Sequence, residues 1–281
     1  MVHSKFYSAL FFLMFISFIG KANNDSLFTF WNIKESNKGK MYIYWGYNRA
    51  AYSTSDIKFK GRDFDFELTD VKAKDRQTKF NWNLYFNPKN LTIPQTNFKF
   101  GYFFSNKYSF SIGVDHMKYV LDNSQTGTIT GTITNTGTIH DGVYFQDQKK
   151  LDKSFIAYEH SDGLNYLNIE FNRFDGLFKT QKWFHIQSVL GVGAAALMPK
   201  TRAILMGRGH HDEFHLAGIG VNIKTGLNLS IGKYFFIQTE GKLGYINMPD
   251  IRPTEFSDEK ASQQFTFAEY TILVGVNVKI K

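Results

Sequence analysis

The sequence predicts an all-β fold, an antiparallel transmembrane β-barrel of closed up-and-down topology, and three observations carry that prediction. The chain opens with an apolar export leader, most of the remaining residues alternate apolar and polar with a period of two, and tight turns are interleaved with much longer polar connections.

The leader is the first element. Met1 to Tyr7 carries Lys5, the run from Ser8 to Gly20 is almost wholly apolar, and Gly20-Lys21-Ala22 supplies small residues for a signal peptidase. The run falls short of the ~20 residues of a membrane-spanning helix, and polar Asn23-Asn24-Asp25 ends it. Residues 1–22 therefore read as a signal peptide, 23–39 as an N-terminal periplasmic segment and 40–281 as the barrel. The formal charge of +8 falls to +6 without the leader, which holds Lys5 and Lys21 and no acid.

The strands come next. From 214 to 231, Ala217, Ile219, Val221, Ile223, Leu227, Leu229 and Ile231 share one parity, while Gly218, Gly220, Asn222, Lys224, Gly226, Asn228 and Ser230 share the other. Successive side chains of a strand point to opposite faces, so one face is apolar and the other small and polar. The run is longer than the five or six residues usual in a globular strand. Phe98, Phe100, Tyr102 and Phe104 repeat the pattern, as do Tyr108, Phe110, Ile112 and Val114; Leu167, Ile169 and Phe171; Ile272, Val274, Val276 and Val278; and Phe64, Phe66 and Leu68.

Turn lengths set the topology. Ser105-Asn106-Lys107, Asp175 to Gln181 and Gly232-Lys233 are short and are assigned to the periplasmic side. Counting outward from them predicts strands near 40–49, 57–70, 80–87, 96–104, 108–120, 164–174, 182–196, 214–231, 234–247 and 263–280. That makes about ten, with eight or twelve as alternatives; the Thr/Gly/Ile tract from Thr126 to Ile139 and the stretch Phe155 to His160 are the segments that leave the number open. Long extracellular loops are expected near 121–163, 197–213 and 248–262.

Composition excludes other classes. With 29 Phe and 15 Tyr the chain is not disordered, and a mean hydropathy of −0.30 argues against a polytopic helical membrane protein. The absence of Cys excludes a disulfide scaffold, Cys-ligated zinc and a thiol nucleophile. No basic, aromatic-interleaved nucleic-acid module is present.

The signal peptide and amphipathic strands resemble outer-membrane β-barrel proteins of Gram-negative bacteria. The stretches Tyr44 to Arg49 (YWGYNR), Ser111 to Tyr119 (SIGVDHMKY) and Gly244 to Ile251 (GYINMPDI) are similar to those of uncharacterised barrel proteins of Bacteroidota. The resemblance implies the outer membrane as location, outer-membrane lipid, lipopolysaccharide and the barrel-assembly machinery as partners, and no particular activity or oligomeric state. One departure is the C-terminus, Val278-Lys279-Ile280-Lys281, where many such barrels end on an aromatic residue.

Inward parities collect Glu67, Lys99, Asp115, Glu170, His185, Lys224, Glu240 and Lys242, with Glu269 and Lys279. Opposite charges in a narrow interior are expected to pair, because an unpaired buried charge is costly; a selective conduit is the other reading. In the outer loops, His211, Glu213 and His215 fall on one face of an extended segment and supply imidazole and carboxylate ligands for a divalent metal. His160, Ser161 and Asp162, with Asp115 near the same rim, place a base, a nucleophile and carboxylates close in sequence and locally resemble the His/Ser/Asn regions of outer-membrane phospholipases and lipid A deacylases. Here, however, His160 and Ser161 are adjacent, which sends them to opposite faces of a strand, and those enzymes separate the two by one residue. Lys149, Lys150, Lys200, Arg202 and Arg208 are loop cations suited to lipopolysaccharide phosphates.

Two classes of function fit these features. The favoured one is a non-enzymatic barrel, without a required cofactor, that has an envelope-structural, ligand-binding or small-solute transport role. The alternative is a surface-exposed hydrolase acting on phospholipid or lipid A.

Overall fold

The computed structural model describes residues 29–30, 36–90, 93–180, 183–208 and 213–279; the expected signal peptide and most of the 23–39 segment lie outside these. In chain order the strands are β1 (Thr29–Phe30), β2 (Lys40–Tyr52), β3 (Ser55–Lys60), β4 (Phe64–Val71), β5 (Ala73–Lys74), β6 (Thr96–Phe103), β7 (Tyr108–Leu121), β8 (Thr126–Ile133), β9 (Gly142–Lys150), β10 (Ile156–Lys179), β11 (Phe184–Leu197), β12 (Arg202–Leu205), β13 (Gly218–Ile231), β14 (Phe235–Ile251) and β15 (Lys260–Lys279). A short α-helix, α1 (Trp82–Phe86), and a single 3-10 turn (Pro88–Asn90) lie between β5 and β6. All strand pairs are antiparallel.

The pairing path returns to its start: β2 pairs β6, then β7, β10, β11, β13, β14 and β15 succeed one another, and β15 pairs β2. This ring holds eight strands where about ten were expected. The two that drop out are 57–70 and 80–87. The first is a hairpin, β3 and β4, which stacks on the upper end of β15 and turns Phe59, Phe64, Phe66 and Leu68 into an apolar core. The second is α1, whose Asn81 side chain caps it by accepting the Asn83 amide. Alternation reports only that one face is apolar; it does not distinguish lipid from a protein core, and that ambiguity accounts for the β3–β4 miscount.

Outside, the ring wears an apolar belt. Phe98, Phe110, Ile112, Ile169, Leu190, Val192, Val221, Ile223, Ile272 and Val274 are each 44–62% exposed. Among the described residues, no charged side chain faces outward between the Arg173–Asp175 pair at the short-turn end and Arg49 at the other. Inside, the small residues of the opposite parity make space. A Cβ on Gly191 would sit 2.8 Å from Lys224 Cε and one on Gly193 2.7 Å from Glu170 Cγ, so these glycines are hollows that receive charged side chains.

Those charges form one network. Glu170 lies 2.5 Å from Lys99, 2.8 Å from Lys224 and 3.1 Å from Lys242. Lys224 also meets Glu240 at 2.8 Å, and Lys242 meets Asp115 and, at 3.6 Å, Glu269. Asn97 donates to Asp115 (2.7 Å) and Glu269 (2.8 Å), Asn168 donates to Asp115 (2.9 Å), and Gln238 donates to Glu240 (2.6 Å). All seven charged groups are buried. Toward the short turns the interior is filled by Tyr42, Tyr44, Phe103, Phe174, Val189, Phe236 and Leu273. Toward the long connections it continues into a second apolar cluster that includes Tyr166, Leu197, Ile246 and Phe267. An eight-stranded ring is just wide enough for side chains to fill, and here they fill it.

The second cluster does not stop at the rim. It runs on through Met117, Tyr119, Tyr158, Phe155, Ile129 and Leu205 to Phe59 and Phe66, under a cap in which β3, β4, β8 and β9 extend the sheet from β15 and β12 extends it from β10. The outer faces of β3 and β4 are polar, with Lys58 and Asp65 exposed and 3.9 Å apart. Of the stretches expected as long loops, 121–163 carries β8, β9 and the first part of β10, and 197–213 carries β12.

Removing one partner from a buried ion network leaves the others uncompensated, a cost of about 3–5 kcal/mol. Glu170→Gln is expected to lower the unfolding free energy of the refolded protein by that amount, read as a lower urea midpoint at unchanged slope. Glu67→Gln, exposed on β4, is expected to stay within about 0.5 kcal/mol of wild type; equal midpoints for the two variants would show that the network does not hold the ring together.

Candidate functional site

The residues of the hydrolase reading sit on the upper part of β10, where its ladder with β7 slips between His160 and Leu164. His160 points into the cap core, fully buried, with its ring 5.1 Å from that of Tyr158 and Nδ1 3.0 Å from the Thr201 hydroxyl. Ser161 Oγ donates instead to Glu159 Oε1 at 2.7 Å. Asp162 lies 3.6 Å from Lys200, and Asp115 belongs to the ion network inside the ring. Base, nucleophile and acid each have a different partner, so the structure does not bring them together as a catalytic set.

The metal reading rests on His211, Glu213 and His215. His211 lies outside the described residues. His215 Nε2 is 3.0 Å from Asp250 Oδ2, and Asp250 also pairs with Lys260 at 2.7 Å. Glu213 is exposed. Among the described residues no group of three His, Asp or Glu side chains is placed to hold a metal ion.

Of the expected interior polar residues, Lys99, Asp115, Glu170, Lys224, Glu240 and Lys242 come together, joined by Glu269. Glu67 does not: it is exposed on the cap strand β4. His185 lies near the short-turn end, opposite Lys179 and Ser230, away from the network. Lys279 is exposed at the end of β15.

A concave site lies on the outer wall of the cap. It is a groove of about 590 Å³ lined by Lys74, Arg76, Lys153 and Arg202, by Asp122 and Glu159, and by Val120, Ala157 and Ile204. Four strands build it in register: Lys74 is opposite Val120, Val120 opposite Glu159, and Glu159 opposite Arg202. Arg76 makes two bonds to Glu159, at 3.2 and 2.7 Å, and Lys74 lies 3.1 Å from Asp122. The Ser124 hydroxyl and amide, with Lys74, hold the Asp122 carboxyl below its ordinary range, so it stays ionised.

Arg202 is the only one of the five loop cations expected to meet phosphates that lines this groove. Lys200 pairs with Asp162, Arg208 with Asp63 at 2.7 Å, and Lys149 donates to the Tyr144 hydroxyl at 3.0 Å. Sequence reasoning missed Lys74, Arg76 and Lys153. A signal was present, because Lys72, Lys74 and Arg76 occupy every second position and an extended chain would put them on one face.

His160 yields a pH prediction. It lies above the apolar belt, and burial pushes its imidazole down to about 3. A depressed histidine is neutral in the folded protein while the unfolded chain takes the proton first, so stability is full above about pH 6.5 and falls as the pH drops toward 3. The loss is expected to reach about 2 kcal/mol at pH 5, read as a urea midpoint below that at pH 7.5. His160→Gln, which retains a partner for Thr201, should flatten this pH dependence; an unchanged slope would place the titrating group elsewhere.

No protein-family model matches the chain, and no curated protein matches it. Among solved structures it is similar to the outer membrane protein OprG of Pseudomonas aeruginosa (11% identity, 89% of this chain and 100% of that one, TM-score 0.40). It is also similar to Neisserial surface protein A (12%, 86% and 100%, 0.34) and to the outer membrane protease OmpT of Escherichia coli (7%, 89% and 99%, 0.29).

Proposed function

We propose that the chain is an integral outer-membrane β-barrel of a Gram-negative bacterium, closed, non-conducting and non-enzymatic, that anchors a folded β-cap on the outside of the cell for an envelope-structural or binding role. The observation that carries this reading is the combination of an uncharged apolar belt outside the ring with an interior packed from end to end. Strands whose backbone groups all pair with neighbours are one of the two structures able to cross a bilayer. On β14 the outward aromatics Phe235 and Tyr245 are ten residues apart, about 25 Å for a strand tilted near 40°.

Aromatics also gather at both edges of the belt. Trp183, Tyr234 and Phe235 are 73%, 57% and 66% exposed at the short turns. At the other edge α1 lies against the outward side of β2, where the Tyr47 ring is 4.7 Å from Tyr85, and leaves Phe80, Trp82 and Phe86 exposed at 64%, 72% and 56%. Amphipathic rings in this position favour the two membrane interfaces. The leader supports export, and outer-membrane lipid, lipopolysaccharide and the barrel-assembly machinery are the partners the reading entails.

Transport is the less supported role, because Lys99, Asp115 and Glu170 in the middle of the ring have no exposed surface. The hydrolase reading has no assembled nucleophile and base to support it. In planar bilayers the purified protein is expected to insert without stepwise conductance; regular open steps would overturn the sealed interior. Variants that retain only Trp82 or only Trp183 are expected to be quenched by lipids brominated near the headgroup, and lack of quenching would remove the membrane placement.

A further inference from the structure

We infer that the groove lined by Lys74, Arg76, Lys153 and Arg202 binds phosphate groups carried on a saccharide, and that their source is the phosphorylated inner sugars of lipopolysaccharide in the surrounding outer leaflet. The inference rests on the membrane placement proposed above.

Charge is the first ground. Four cations face two carboxylates in the groove, and the carboxylates are committed to Arg76 and Lys74. Arg202 and Lys153, both exposed, have no ion-pair partner among the described residues. Arg76 and Lys74 keep 51% and 62% of their side-chain surface in solvent, so their remaining donors also face the groove mouth. Guanidinium and ammonium groups converging from separate elements, here β5 and the segment after it, the turn before β10, and β12, form the donor set that an oxyanion takes.

Shape is the second ground. Between the cations the floor is Val120, Ala157 and Ile204, all partly exposed. Such a surface accepts the CH face of a sugar ring while the cations meet substituents at its edge. A bare inorganic anion would use the cations and leave this floor empty.

Height is the third ground, and it selects the source. On β7 the last outward belt residues are Ile112 and Val114. Val120, in the floor of the groove, is six residues further along, about 15 Å above them for a strand tilted near 40°. The groove opens on the outer wall of the cap rather than on its summit, because Val120 on β7 and Glu159 on β10 alternate with Tyr119 and His160, which point into the core. A lipid-linked saccharide standing in the outer leaflet beside the barrel reaches that height from the side; a soluble ligand has no reason to favour the wall.

The test uses the full protein in detergent micelles and rough lipopolysaccharide as probe, beside the same lipopolysaccharide stripped of phosphate. Wild type is expected to bind the phosphorylated form and to lose most of that binding on dephosphorylation and on raising salt. The double variant Arg202→Gln/Lys153→Gln removes two exposed cations without breaking an ion pair and is expected to weaken binding at least tenfold, because the phosphates lose two charge-assisted bonds. Equal binding of the stripped form, or an unchanged double variant, would overturn the site. Binding of a soluble sulfated oligosaccharide or of acid-released core sugars, with none of intact lipopolysaccharide, would overturn the leaflet as source. The bilayer and quenching measurements separate the two readings: a protein that inserts and quenches as expected but ignores phosphate keeps its membrane placement and loses this site.

Discussion

Glu170 and its three lysines are the constraint on which the ring depends. A carboxylate in a packed interior is tolerated only if its charge is answered at close range, and here Lys99, Lys224 and Lys242 answer it from β6, β13 and β14 while Glu170 sits on β10. Strands that are not neighbours are thereby tied across the middle. The same requirement explains the glycines: charged side chains that lean inward from neighbouring strands need room beside them, and Gly191, next to Lys224, and Gly193, next to Glu170, supply it. It also explains the aromatic layers on either side, which keep water from competing for the ionic hydrogen bonds.

The cap obeys a different logic from the ring below it. In the belt the apolar parity faces outward and the interior is polar; above the rim the apolar residues of β3, β4 and β8 turn inward and their polar partners meet water. His160 shows what this does to chemistry. Placed in that core, beside Tyr119 and Tyr158, it serves as a packed neutral ring that bonds Thr201. The outer wall keeps its charges accessible, which is why recognition of a ligand belongs there.

The belt was legible in the sequence because lipid is a uniform solvent and imposes an uninterrupted period of two: the outward residues of β6, β7, β13 and β15 are the ones alternation selects. Most of the interior network was legible for the same reason, since parity assigns Lys99, Glu170 and Lys224 inward. Parity misplaced Glu67 because the apolar partners of β4 face a protein core. It also could not show that Asp115, read as a rim residue as well, pairs with Lys242, a contact 127 positions away in the chain. The groove was hidden more deeply. Its cations come from three separated segments, around 74–76, 153 and 202, and only the cross-strand register of β5, β7, β10 and β12 puts them side by side.

β10 and β15 run unbroken from the short-turn end of the ring into the cap, 24 and 20 residues long, and β3 continues the line of β2 along the same partner strand. Among the described residues these continuous ladders leave no linker at which the outer part could swivel. A pull on the cap, from a neighbouring cell or surface, would load the hydrogen bonds of those ladders lengthwise, many at once, instead of peeling them one by one. Such an arrangement resists tension in the way a rooted post does, and it fixes the orientation and reach of whatever the cap holds relative to the membrane plane.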